Sequence, residues 1–440
     1  MPWKLLVALF LYFGLGAWLT ATLGPAGSGL AILITTAWLW LTEALNVSVT
    51  ALLVPLLATA SGVLPFDQAL VQFADPVIFL FLGGFALAAG LHRQGLDSWM
   101  AHWVIRRAGN RLHRAARWLF WLTAFLSMWI SNTATAAMML PLALGLLSPL
   151  APDRYHSTYV YVLLGIAFSA NIGGIGTLVG SPPNAIAASN VGIGFAEWMM
   201  WGVPLVLVMM PLMEFALRRA LRPELDVQIA LPEARLEWSR KHALMLGLFG
   251  LVVLLWIVGA PLGAWLGIVR GYDAAVGLLA LVALHALRLA RWKDIERGTD
   301  WGVLMLFGGG LTLSRVLDSS GAGAWLASQL SGPIELLPAL ACVALMIGFA
   351  MLLTEVTSNT ASAALLIPLF IGLAPHVDSV TIAVLVAVGA SCAFMLPVAT
   401  PPNAIAFGSG HVPQRAMIRA GLMLTAVILP LLIAVAALVL

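Results

Sequence analysis

Serine, asparagine and threonine recur in this sequence at two places where the surroundings are strongly apolar. SNTATAAMMLP runs from Ser131 to Pro141, and SNTASAALLIP runs from Ser358 to Pro368, 227 positions later. A second pair of motifs is GSPPNAIA (Gly180–Ala187) and ATPPNAIA (Ala399–Ala406). None of the four contains lysine or arginine. A break in a helix frees carbonyls at the end of one segment and N–H groups at the start of the next. Freed carbonyls suit a small hard cation such as sodium. Freed N–H groups at a positive helix end suit an anion. Glycine and proline open the backbone at such points.

The first SNT segment offers Ser127, Ser131, Asn132 and Thr133. Its companion break offers Thr177, Gly180, Ser181 and Asn184, after the glycine-rich NIGGIG at Asn171–Gly176. The second segment offers Thr354, Thr357, Ser358, Asn359 and Thr360, and its break offers Ala399, Thr400, Pro401 and Asn403. One SNT alone reads most simply as a helix N-cap, its hydroxyl accepting a backbone N–H. Two near-identical copies, each with its own Pro-Pro-Asn, point instead to a site for an anion flanked by cations. Capping and ligation are compatible.

The elements that must position these residues follow from composition. The chain has 440 residues, 61% hydrophobic and 9% charged, with a mean hydropathy of +0.99. Soluble domains average about 25% charged residues, so this is an all-α polytopic membrane protein. A net charge of +3 does not point to nucleic acid, because the basic residues lie in short loops, where they encode topology. Cys342 and Cys392 lie in apolar segments and are expected as free thiols. No nucleophile–base constellation, metal motif or nucleotide loop suggests an enzyme.

Spanning helices of about 20 apolar residues are predicted over 3–22, 29–44, 47–63, 76–92, 157–188, 198–217, 242–260, 273–289, 301–316, 377–398 and 419–440. The first reads as a retained helix, not a cleaved leader. Two stretches, about 118–150 and 334–374, are too long for one helix and are interrupted by the SNT motifs. Arginines 93, 106, 107, 111, 114 and 117 lie in one basic segment, and Arg218, Arg219, Arg222, Arg235, Arg240 and Lys241 in a second. Arg288, Arg291, Lys293 and Arg297 form a third, and Arg415 and Arg419 a fourth; Arg270 is the exception. All four basic segments fall on the cytoplasmic side only if the N-terminus is inside, the C-terminus outside, and both interrupted stretches are re-entrant hairpins. Five spans then separate the hairpins, so they enter from opposite faces. The chain is one transporter unit, 1–440, containing inverted repeats 29–217 and 242–440. IFLFLGGFALAAGL from Ile78 and VLMLFGGGLTLSRVL from Val303 support the duplication. Inverted repeats with broken helices mark secondary transporters.

Glu355 is three residues before Ser358. It reads either as a cation or proton ligand or as a hydrogen-bonding support for the hairpin. Glu43 and Glu214 read as interfacial. The histidines show no cluster; His92, His102 and His113 lie in the basic segment, which is expected to form an amphipathic surface helix.

The paired SNT motifs, NIGGIGTLVGSPPN and CAFMLPVATPPNAIAFGSG (Cys392–Gly410) resemble the divalent anion/sodium symporter family over essentially the whole chain. The second half points to the bacterial sodium–dicarboxylate branch. The resemblance implies a plasma-membrane homodimer of eleven helices plus two hairpins per protomer, with a scaffold and an elevator-like transport domain. It also implies a first sodium site at Ser127, Ser131, Asn132 and Gly180, and a second at Thr354, Thr357, Asn359 and Ala399. Substrate carboxylates would meet Asn132, Thr133, Asn359, Thr360, Thr400 and Pro401. Two departures stand out: Thr357, where alanine is frequent, and Ser181, where threonine is frequent. The function implied is uptake of C4-dicarboxylates (succinate, fumarate, malate) with co-transported sodium. A sodium-independent exchanger, or a citrate or sulfate carrier, would use the same fold. An ion channel with two re-entrant filters is the reading from another class.

Overall fold

The computed structural model describes residues 2–228, 238–268, 271–335 and 337–440; Arg235 and Arg270 lie outside them. Among the described residues the regular structure is helical, apart from one isolated bridge between Arg111 and Gln228. Helices satisfy their own backbone polar groups, which a hydrocarbon solvent demands.

After an N-terminal helix, Trp3–Leu23, the same order of elements occurs twice. The first half runs Pro25–Thr42, Val47–Ala60, the short Phe66–Val71, Pro76–Arg93 and Leu96–Ala108. A hairpin (Leu112–Ser127 and Asn132–Leu147), a broken helix (His156–Gly173 and Pro182–Val191) and Phe195–Leu221 complete it. The second half runs Arg240–Ile257, Tyr272–Ala286, the short Trp292–Gly298, Trp301–Ser320 and Ala322–Glu335. Its hairpin is Ala339–Thr354 and Asn359–Leu373, its broken helix Ser379–Ser391 and Pro401–Gly408, and its last helix Gln414–Val439.

Packing between the halves is reciprocal. Pro76–Arg93 packs on Tyr272–Ala286, and its counterpart Trp301–Ser320 packs on Val47–Ala60. Pro182–Val191 packs on Ser379–Ser391, and Pro401–Gly408 packs on His156–Gly173. Such exchange of partners is what a two-fold relation produces. Small residues allow the first pair of crossings: a Cβ on Gly83 would lie 2.4 Å from Gly277 Cα, and one on Gly309 2.6 Å from Ala51 Cα. Backbones this close are the usual basis of helix association in lipid.

Among the described residues, seven helices are long and apolar enough to cross a membrane unaided, among them Pro25–Thr42, Phe195–Leu221 and Gln414–Val439. The first hairpin starts at Leu112, earlier than the expected 118. Leu112, Ala115, Ala116 and Leu119 face inward and are buried, but Arg111, Arg114 and Arg117 between them mask that face in any average of hydropathy. Arg117 and Arg218 converge on Glu214, with Arg117 Nη2 3.1 Å and Arg218 Nη2 2.5 Å from its Oε1. Glu214 thus ties the hairpin to the end of Phe195–Leu221. Leu96–Ala108 carries Arg106 and Arg107 in its last turn, whereas its counterpart Ala322–Glu335 has no basic residue. The broken helices form the centre: every residue of 158–176 is buried. A helix apolar and buried all round belongs to a core. Cys342 and Cys392 are free and buried.

Candidate functional site

The asparagine of each Pro-Pro-Asn satisfies the carbonyls its own break sets free. Asn184 Nδ2 donates to Gly174 O (2.8 Å) and Thr177 O (2.7 Å). Asn403 Nδ2 donates to Ala393 O and Leu396 O, both at 3.1 Å. The proline pair occupies the first turn of the following helix in both copies, where a missing N–H costs nothing. The flanking helices press on the breaks at matching glycines. A Cβ on Gly202 would lie 2.5 Å from Ile175 O, and one on Gly421 2.5 Å from Phe394 O.

The hairpin tips also match. Ser127 Oγ lies 2.7 Å from both Asn132 Oδ1 and Ala170 O. Thr354 Oγ1 lies 2.6 Å from Asn359 Oδ1 and 2.7 Å from Ala390 O. Asn132 Oδ1 faces further oxygens, Ala170 O at 3.1 Å and Gly180 O at 3.2 Å. An amide nitrogen in that place would donate to all of them; an amide oxygen completes a ring of acceptors of the kind a hard cation takes. Side chains are excluded here, because a Cβ on Gly174 would lie 2.3 Å from Asn132 Oδ1 and one on Gly180 2.5 Å from Gly174 O. Ser131 Oγ caps Ala134 N (3.3 Å), as an isolated SNT would. Thr357 Oγ1 engages Leu353 O (2.9 Å) and Ser362 Oγ (2.6 Å), so its hydroxyl is occupied within its own hairpin.

The tips are fastened differently. At the first, the Thr177 hydroxyl donates to Met128 O. At the second, Glu355 sits where Met128 would be and accepts from Phe394 N (2.7 Å), Met395 N (3.0 Å) and Leu396 N (3.1 Å). It is 4% exposed. Of the two roles its sequence position allowed, the hydrogen-bonding support is the one its contacts describe.

Both tips and both breaks meet at one cavity of about 540 Å³. Asn132, Thr133, Asn359, Thr360, Thr400 and Pro401 all line it, together with Gly180 and Ala399. Ser127, Thr354 and Thr357 are not on its wall and are buried. The lining begins four helices at their N-terminal ends: Asn132–Leu147, Pro182–Val191, Asn359–Leu373 and Pro401–Gly408. Among the described residues, no lysine, arginine or histidine lines it.

The opposite wall was not foreseen from sequence. It is built by Glu43, Asn46, Ser48, Phe81, Phe85 and Asp300. Glu43, at the end of Pro25–Thr42 as its interfacial reading expected, also lines the cavity. A signal for Asp300 existed in the duplication. It caps Trp301–Ser320 through Val303 N (3.1 Å), as Asp75 caps Pro76–Arg93 through Val77 N (2.9 Å). Repetition shows the cap, not which copy faces a cavity.

Comparisons with known proteins bear on the family and the fold. A family model described as citrate transporter matches residues 37–389. An uncharacterized transporter of Haemophilus influenzae is 49% identical, over 91% of this chain and 89% of its own length. The sodium-dependent dicarboxylate transporter SdcS of Staphylococcus saprophyticus is 32% identical, over 89% of this chain and 82% of its own. The crystal structure of the YdaH transporter of Alcanivorax borkumensis, described as having an unusual topology, superposes with a TM-score of 0.58. It is 14% identical and covers 85% of this chain and 88% of that one, which supports the fold alone. With four-fifths of its length inside the matched region and the duplicated hairpins and breaks in place, the chain is a membrane transporter of the citrate transporter family, of the divalent anion/sodium symporter type.

Proposed function

We propose that the protein imports C4-dicarboxylates, such as succinate, fumarate and malate, together with sodium ions. The observation that carries this reading is the cavity: four helix N-termini converge on it and, among the described residues, no cationic side chain lines it. Each helix N-terminus acts as roughly half a positive charge, suited to a carboxylate. The rest of the neutralisation falls to cations held behind the wall. Ser127, Ser131, Asn132 and Gly180 form the first sodium site, and Thr354, Thr357, Asn359 and Ala399 the second. Asn132, Thr133, Asn359, Thr360, Thr400 and Pro401 take the substrate. The anion then binds well only when the cations are present, and by linkage the cations bind better with the anion. The sodium-dependent dicarboxylate transporter among the relatives supports the same chemistry.

In this reading the protomer has eleven spans with both hairpins re-entrant, lies in the plasma membrane with its N-terminus inside, and pairs as a homodimer. The repeats 29–217 and 242–440 are inverted. Glu43, Asn46 and Asp300 lie at helix ends that the basic loops assign to the cytoplasm, so the cavity faces inward. Hairpins and broken helices form the moving body; Pro25–Thr42, Val47–Ala60, Pro76–Arg93 and Trp301–Ser320 form the wall it slides along. The description of the matching family favours citrate as the second substrate to consider.

The test is uptake of labelled succinate by proteoliposomes without internal substrate, under an inward sodium gradient or with choline in its place. Sodium-driven accumulation is the expected result. Uptake only after preloading with dicarboxylate would replace symport by exchange. No uptake in either arm, with citrate or sulfate accumulating, would overturn the substrate class.

A further inference from the structure

We infer that Asn171 is a positioning residue that turns the Thr400 hydroxyl into a dedicated hydrogen-bond donor facing the cavity. The inference rests on the reading of Thr400 as a substrate ligand.

Asn171 is fully buried in the first broken helix, where it borders the same cavity as Thr400, and its amide reaches the second broken helix. Nδ2 lies 3.1 Å from Thr400 Oγ1, 3.4 Å from Asn403 Oδ1 and 3.5 Å from Ala393 O. The orientation of this amide is determined by its neighbours. Ala393 O accepts only. Asn403 turns its Oδ1 toward Asn171, because its own Nδ2 is engaged by Ala393 O and Leu396 O. A carbonyl oxygen in place of Asn171 Nδ2 would therefore face two acceptors.

Thr400 Oγ1 thus accepts from Asn171, and it also accepts from Asn403 N at 3.3 Å. A hydroxyl has two acceptor sites and one proton. With both lone pairs engaged, its proton points elsewhere, and it donates to no group among the described residues. Thr400 is on the cavity wall. A donor held this way meets a carboxylate without first breaking a bond, which favours binding by preorganisation.

The arrangement is absent from the other half. Ala170 and Ala390 hold matching places beneath the two tips, so Ser391 corresponds to Asn171. Its hydroxyl goes to Ala387 O at 3.1 Å. Ser181, the counterpart of Thr400, makes no capping bond through its side chain. A pseudo-symmetric site therefore has one fixed donor, at Thr400. Asn171 Oδ1 is buried without a partner. Leaving a buried acceptor unpaired is costly, and the donor it holds in place is the return.

The experiment is a double-mutant cycle on labelled-succinate uptake with saturating sodium, using Thr400→Val with Asn171→Ala. Asn171→Leu fills the same space without a donor and serves as the second variant if the alanine protein folds poorly. Thr400→Val is expected to raise the succinate KM on the order of tenfold, the weight of one hydrogen bond to a charged group. Asn171→Ala or Asn171→Leu should raise it similarly, with Vmax per folded protein and sodium half-saturation within about twofold of wild type. In the Thr400→Val background either Asn171 variant should add almost nothing. Equal losses in both backgrounds, or an unchanged KM for the Asn171 variants beside an impaired Thr400→Val, would overturn the role of Asn171 and leave the substrate site standing. An unchanged KM for Thr400→Val would remove Thr400 from the site and the inference with it.

Discussion

Glu355 is the residue at which the two halves differ most in chemistry. Its two oxygens accept N–H groups from Phe394, Met395 and Leu396, three consecutive donors that the second break leaves without helical partners. The first break needs no such acid, since the Thr177 hydroxyl and the Met128 carbonyl close the equivalent contact. Glutamine at 355 keeps the shape but has one acceptor oxygen instead of two, and its amide nitrogen would face donors. Hydrogen bonds to a carboxylate are worth about 1.5–3 kcal/mol each. Glu355→Gln is therefore expected to destabilise the purified protein by a few kcal/mol and to lower its melting temperature in detergent. It should also weaken sodium activation, because the adjoining Thr354 holds Asn359 Oδ1 and Ala390 O. A melting temperature equal to wild type would show that the break stands without the acid.

At the scale of elements, the sequence displayed the breaks and the tips because they are duplicated. SNT and PPN recur at matching places, and both asparagines of PPN do the same work, on Gly174 and Thr177 in one half and on Ala393 and Leu396 in the other. What was illegible has physical reasons. The first turns of the first hairpin hide their apolar face behind arginines 111, 114 and 117. Short helices such as Phe66–Val71 and Trp292–Gly298 are below the length at which periodicity is readable. Asn171 read only as the first residue of the glycine-rich NIGGIG, and its partners lie in the other half of the chain. The matched glycines allow a test. Gly202→Ala and Gly421→Ala would each drive a methyl to 2.5 Å from a carbonyl of a break, and backbone there has little room to move. Each should cost about 1–3 kcal/mol and depress transport. Gly145→Ala, in an exposed helix position with nothing within 4 Å, should be neutral or stabilise by up to about 1 kcal/mol. The comparison reads thermal stability and uptake of the three variants together; similar behaviour in all three would mean the breaks are not tightly clamped.

For the whole molecule, the cavity has two walls of different character. Val398 belongs to the second break and is 81% exposed although it is a large apolar residue; it lines the cavity. Val47, on the facing wall, begins the helix Val47–Ala60 and lines the same cavity. If the hairpins and breaks travel as one body past a fixed wall, Val398 changes the side of the membrane to which it is accessible and Val47 does not. The native thiols are both buried, so single cysteines report cleanly. In vesicles of known orientation, Val47→Cys should react with an impermeant maleimide only from the cytoplasmic side under every condition. Val398→Cys should react from the cytoplasmic side at rest, and from the outer side as well when sodium and substrate are allowed to cycle. Cytoplasmic labelling of both positions under all conditions would argue for a local gate at the cavity mouth. Exchange of sides by both would mean that the wall moves with the body, and that the division between scaffold and carrier is drawn in the wrong place.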